Sequence, residues 1–149
     1  MRIARSIFLF VFIILVGTAT AQAPSFQPVG TMSQLMVDII YPTSDEIFYA
    51  GRDVPKTGPM WTALQHNALM LAESGNLLMM AGRARDQENW IKDSKMVIDV
   101  GQAAYKAALA KDLDAVLALN DQLYTACVTC HQQYRPGYGR RPLPNAQPR

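Results

Sequence analysis

Apolar residues recur along this chain at intervals of three and four, the spacing that gathers them onto one face of a helix. Met32, Leu35, Met36, Ile39 and Ile40 form the first such face. Pro42 interrupts it, because proline lacks an amide donor and its ring clashes with the carbonyl four residues back. Thr43-Ser44-Asp45-Glu46 follows with the Thr-x-x-Glu pattern of a capping box. The first helix is therefore expected to kink at Pro42 or to stop and restart there, and Tyr49-Ala50-Gly51 ends it.

Pro55 and Gly58 mark a loop. A second helix is predicted from Thr57 or Pro59 to about Gly82, with Met60, Trp61, Leu64, Ala68, Leu71, Gly75, Leu78 and Met79 facing the core. Asp86 is the expected cap of a third helix reaching about Ala110, which packs through Trp90, Val97, Val100, Gly101, Ala104, Ala107 and Ala108. Asp112 caps a fourth, whose apolar line is Leu113, Val116, Leu117, Leu119, Leu123 and Tyr124 and which ends before Pro136. Strand-like alternation and internal repeats are absent from the sequence. Four helices with short connections predict an all-α, antiparallel four-helix bundle over residues 31–135.

The ends read differently. Met1, Arg2 and Arg5 precede the unbroken apolar run Ile7 to Val16, and a small-residue stretch follows from Gly17. This is the layout of a secretory signal peptide over residues 1–21, cleaved after Ala21 or Ala23. The run falls short of the roughly 18 residues of a membrane span, and an uncleaved anchor is the alternative. Residues 22–30 read as an extended leader, and residues 136–149, rich in Pro, Gly and Arg, as a disordered tail or a partner-docking segment. Loss of Arg2 and Arg5 brings the 14 basic residues down to match the 12 acidic ones. The mature chain thus has no cationic surplus that would point to nucleic acid or to a membrane surface.

The chemistry concentrates at Cys127-Val128-Thr129-Cys130-His131, on the last turns of the fourth predicted helix. Cys-x-x-Cys-His is the attachment signature of a c-type haem. Positions i, i+3 and i+4 share a helix face, so both thiols can add to the haem vinyl groups while the imidazole reaches the iron. These are the only two cysteines, and a disulfide between them would close a loop too small to stabilise much. A dithiol redox pair, or a metal site completed by His131 and His66, is the alternative, though the spacing matches no zinc pattern. Bacterial haem c is attached outside the cytoplasmic membrane, so the export signal and the haem signal support each other. One covalent haem c and a periplasmic location are expected.

The motif lies at the C-terminal end of the last helix and extends as Cys127-x-x-Cys130-His131-x-x-Tyr134-Arg135. In this the chain resembles the cytochrome c′ family, the class II cytochromes c, and most of all its low-spin, Met-ligated branch. The resemblance covers the mature chain to about Arg135, specifically at the motif and architecturally elsewhere. It implies His131 as proximal iron ligand and Arg135 as a shield over the proximal imidazole. One branch of the family leaves the iron five-coordinate and high-spin, open to NO or CO. The other supplies a methionine thioether from the first helix. Met36 falls at that position, with Met32 one turn away as its substitute, and Met32 stands where the open branch often has a propionate-binding arginine. A soft thioether favours ferrous iron, so the expected function is electron transfer to and from periplasmic redox proteins. Pairing of two copies through their first two helices, as family members do, would make a homodimer.

Other candidates have plainer explanations. His66 is expected to face solvent, and Trp61, Trp90 and Tyr124 to fill the core or line the haem pocket. The pairs Asp45/Glu46 and Asp112/Asp114 suit helix starts. With no nucleophile–base set and no phosphate-binding glycine loop in the sequence, no catalytic residue and no enzyme activity is expected.

Overall fold

Helices account for all the regular structure of the computed structural model, which describes residues 26–139. The expected signal peptide and most of the expected C-terminal tail fall outside the described residues. Phe26 to Val29 runs without regular structure.

Thr31 starts the first helix. Its hydroxyl oxygen accepts from the Gln34 amide at 3.2 Å, and the Gln34 side-chain oxygen accepts from the Thr31 amide at 2.9 Å. The helical run then comprises α1 (Met32–Gln34), a π-helical turn (Leu35–Ile40) and α2 (Tyr41–Phe48). Pro42 neither ends nor restarts it. The Tyr41 amide reaches back five residues to the Met36 carbonyl, and this widened turn gives the proline ring room. The expected capping box at Thr43 is therefore absent, because the chain upstream is already helical and leaves no amide there to cap. Thr43 is instead buried, and its hydroxyl donates to the Ile39 and Ile40 carbonyls at 2.7 and 3.1 Å. Asp45 and Glu46 lie inside α2, not at a helix start as expected.

α3 (Gly58–Leu78) is capped by the Thr57 hydroxyl, which accepts from Met60, with Pro59 in the first turn where its missing amide costs nothing. It ends four residues before Gly82, at a carbonyl that takes the indole N–H of Trp90 at 2.8 Å. Gly82 itself has φ of +85°, a left-handed conformation that turns the chain and suits glycine. α4 (Asn89–Leu109) follows, and Asp86 accepts from the Glu88 and Trp90 amides ahead of it.

The expected fourth helix is two: α5 (Leu113–Leu117), capped by Asp112, and α6 (Asn120–Tyr134). The break at Ala118–Leu119 resets the face presented to the core. Leu123 and Ala126 point inward, whereas Tyr124, expected on the apolar line, is 62 % exposed. Asn120 ties the break to the first helix by donating to the Phe48 carbonyl.

α3 lies along α4, α4 along α6, and α2 against α3 and α6. Leu35, Ile47, Leu71, Val100, Val116 and Leu123 form the centre of the shared core. Among the described residues no helix is long and apolar enough to cross a membrane.

Candidate functional site

A cleft of about 350 Å³ opens between the π-helical turn and the end of α6. Met32, Ser33, Met36 and Val37 form one wall, and Cys130, His131, Tyr134, Arg135 and Pro136 the other. Trp90 and Arg85 complete it from the start of α4 and the loop before it. The volume lies in the range of small-molecule and cofactor sites. Two segments about a hundred residues apart in the chain thus meet across one space, bringing Met32, Met36, Cys130, His131 and Arg135 together. Met36 sits inside the π-helical turn, and such turns are frequent at functional sites.

The donors have distinct environments. Cys127 and Cys130 are both free thiols, one turn apart on α6. Cys127 is half-buried, lies outside the cleft lining, and is pushed up in pKa by burial. Cys130 is buried and pushed up to about 11, by burial first and then by the nearby charges of Asp93, Cys127 and Asp86. Neither is poised as the low-pKa thiolate of a redox dithiol. Burial, and then the charge of Arg135, lowers the pKa of His131, which favours the neutral imidazole that binds metals. Arg135 is exposed at the cleft edge with its guanidinium 5.8 Å from the Tyr138 ring. Tyr138 meets the His131 ring edge-on, centroids 5.1 Å apart.

Tyr134 locks the end of α6 to the start of α4. Its hydroxyl donates to the Asp86 carboxylate and its ring stands edge-on to Trp90, centroids 4.9 Å apart. The Tyr134 bond, and then the Trp90 amide, holds the Asp86 carboxyl below its ordinary 3.8. The same bond is the main cause that raises Tyr134 from 10.0 to about 12. The charged carboxylate stabilises the fold above pH 3.8 and ceases to as pH falls through its lower folded value. The phenol contributes below pH 10.0 and loses its contribution as pH rises towards about 12. Urea midpoints of Tyr134→Phe should therefore lack the alkaline loss expected of the parent between 10.0 and about 12. Its acid loss should be smaller and end at higher pH, since Asp86 keeps only its backbone donors and its folded value moves closer to 3.8. Identical pH profiles would remove this pair from the account.

None of the family models, curated proteins or solved structures compared with this chain matches it.

Besides Cys127, three candidates do not join the cleft: His66 is exposed on α3, Trp61 is buried in the core, and Tyr124 faces solvent. Among the described residues no three His, Cys, Asp or Glu side chains converge to hold a metal ion, so Cys127, Cys130, His131 and His66 make no four-ligand set. Arg85, Tyr138 and the Asp86–Tyr134 bond escaped the sequence, because each depends on which loop folds over which helix end. Asp93 was legible: it follows Trp90 by three residues and precedes Val97 by four, on the face expected to be buried.

Proposed function

We propose that this chain is a periplasmic mono-haem c-type cytochrome that carries electrons, built as an antiparallel four-helix bundle. Cys127 and Cys130 would hold one haem c through thioethers, and His131 and Met36 would hold its iron. The observation that carries this reading is the meeting of Met36 with Cys130 and His131 across one cleft.

The residues fit such a group. Both thiols are unbridged, on one helix and within a turn of each other. The imidazole beside them favours its neutral form, and the facing wall offers two thioethers, Met36 and Met32. Arg85 and Arg135 stand among the lining residues as cations for the haem carboxylates. When bound, the haem supplies a one-electron couple. The protein's part is to fix the two axial donors, exclude water with Trp90, Met32 and Val37, and hold the α6 end rigid through Tyr134 and Asp86. A site closed by donors on both faces offers no position for a substrate, which favours a carrier over an enzyme. Its redox partners would dock over small, transient surfaces.

The visible spectrum of the exported, matured protein tests this, taken oxidised, reduced, and reduced under carbon monoxide. Sharp low-spin bands with a weak far-red sulfur-to-iron band, little changed by the gas, are the expected result. A broad high-spin spectrum that shifts with the gas would instead make it a five-coordinate NO- or CO-binding cytochrome c′. Absence of haem absorption after expression with a working maturation system would overturn both.

A further inference from the structure

Asp93 is the anomaly of the interior. It lies on α4 one turn after Trp90, is only 2 % exposed, and its Oδ2 has no hydrogen-bond partner among the described residues. Protein interiors seldom keep an unpaired carboxylate, since burying the charge without a partner is costly.

Its surroundings do little to offset the charge. α4 packs against α6, and from α6 the Cys130 thiol and the Tyr134 phenol both feel the charge of Asp93. Asp86, from the loop ahead of α4, adds a second negative group, and the exposed neighbour Lys92 is the cation that acts on it. The buried residues of the first helix, α3 and α5 are all uncharged. Burial raises Asp93 above the ordinary carboxylate range; Lys92 opposes this and Asp86 adds to it.

We propose that Asp93 couples electron transfer to proton uptake, taking a proton when the protein gains an electron and releasing it when the electron leaves. This rests on the electron-carrier reading above. Asp93 lies outside the cleft lining, and from α4, packed on α6, its charge acts on Cys130, one of the two haem-attaching thiols there. In the balanced step, one electron arrives from a one-electron redox partner and one proton from solvent. Ferric iron becomes ferrous, the Asp93 carboxylate becomes a carboxylic acid, and no other bond is made or broken. The extra positive charge of the oxidised centre favours the carboxylate, and its loss on reduction favours the acid. The reduction potential must then fall as pH rises between the two values at which Asp93 titrates, oxidised and reduced.

The test is the reduction potential of the haem-loaded protein across pH, for the parent, Asp93→Asn and Asp93→Glu. The parent potential is expected to fall with pH above the ordinary carboxylate range. Asp93→Asn should lose that segment and keep only what other titrating groups contribute, while Asp93→Glu retains it at a displaced midpoint. Infrared difference spectra of the parent should show a protonated-carboxyl band on reduction, missing from Asp93→Asn. Superimposable pH profiles for the parent and Asp93→Asn overturn the proposal. If the Asn variant fails to fold, a flat parent profile or a parent difference spectrum without the carboxyl band does so. A protein that takes up no haem overturns the carrier function and the coupling with it, an outcome distinct from a haem protein whose potential ignores Asp93.

Discussion

Met36→Ala is expected to turn a reduced protein that ignores carbon monoxide into one that binds it readily. On the reading proposed above, the thioether and the gas would compete for one position on the iron. An external ligand's apparent affinity is reduced by the fraction of time the position is open. If Met36 occupies it about 99 % of the time, its removal raises apparent affinity on the order of 100-fold. The oxidised spectrum should move from low to high spin, and the potential should fall, because the soft donor that favoured ferrous iron is gone. Loss of fold is a smaller concern. Met36 is only partly buried, so the cost should sit at or below the low end of the ~2–5 kcal/mol seen for fully buried methionine truncations. A carbon monoxide titration of the reduced variant reads the result. An unchanged low-spin spectrum would rule Met36 out and direct attention to Met32, one turn earlier on the same wall.

The second large effect is structural. Gly101→Ala should destabilise the protein by about 3 kcal/mol, although alanine favours a helix by about 1 kcal/mol over glycine. A Cβ at Gly101 would lie 2.6 Å from the Ala72 amide nitrogen and 2.8 Å from its Cα. Those are backbone atoms of α3, so relief requires α3 and α4 to move apart along their length. A Cβ at Gly75, on the facing helix, would meet the Ile98 Cγ1 at 2.5 Å and the Ser94 carbonyl at 2.9 Å. There too a backbone atom lies inside 3.0 Å, and the nearest atom belongs to a β-branched side chain that is stiff at χ1, so Gly75→Ala should cost about as much as Gly101→Ala. Urea midpoints at unchanged slope measure both. A Gly101→Ala variant as stable as the parent would mean the helices do not approach so closely.

The sequence was most informative where a local rule acts alone. α3 begins at Thr57, one of the two starts expected for it, Asp112 caps the helix expected of it, and the inward faces of α3 and α4 follow the three-and-four spacing. It was less informative where two local rules compete. Pro42 and the Thr-x-x-Glu pattern both argued for a break, yet a single wide turn absorbs the proline and leaves the Thr43 hydroxyl on the carbonyls beside it. At Ala118–Leu119 no proline or glycine marks the interruption, so Tyr124 was assigned inward when the reset face points it out. The site divides in the same way. Cys127, Cys130 and His131 are read from their spacing alone. Periodicity cannot distinguish a methionine that lines a cleft from one that fills a core, and Met36 was singled out by resemblance. Its position in the cleft depends on tertiary packing, as do those of Arg85 and Tyr138.

The wide turn at Leu35–Ile40 also sets a phase. A residue added to or taken from a helix rotates everything beyond it by about 100°. The turn accommodates one more residue than a regular helix would between the leader and Pro42. Wound as a regular α-helix, the same residues would turn Met32 by about 100° relative to α2, and the wide turn absorbs that rotation and keeps both thioethers on the cleft wall. Deleting Val37 should therefore remove the need for the wide turn, so that the run winds regularly with both thioethers still on the cleft wall and Ile47 untouched. The proline that looked like a flaw in the first helix is thus next to the element that decides which side chain faces His131.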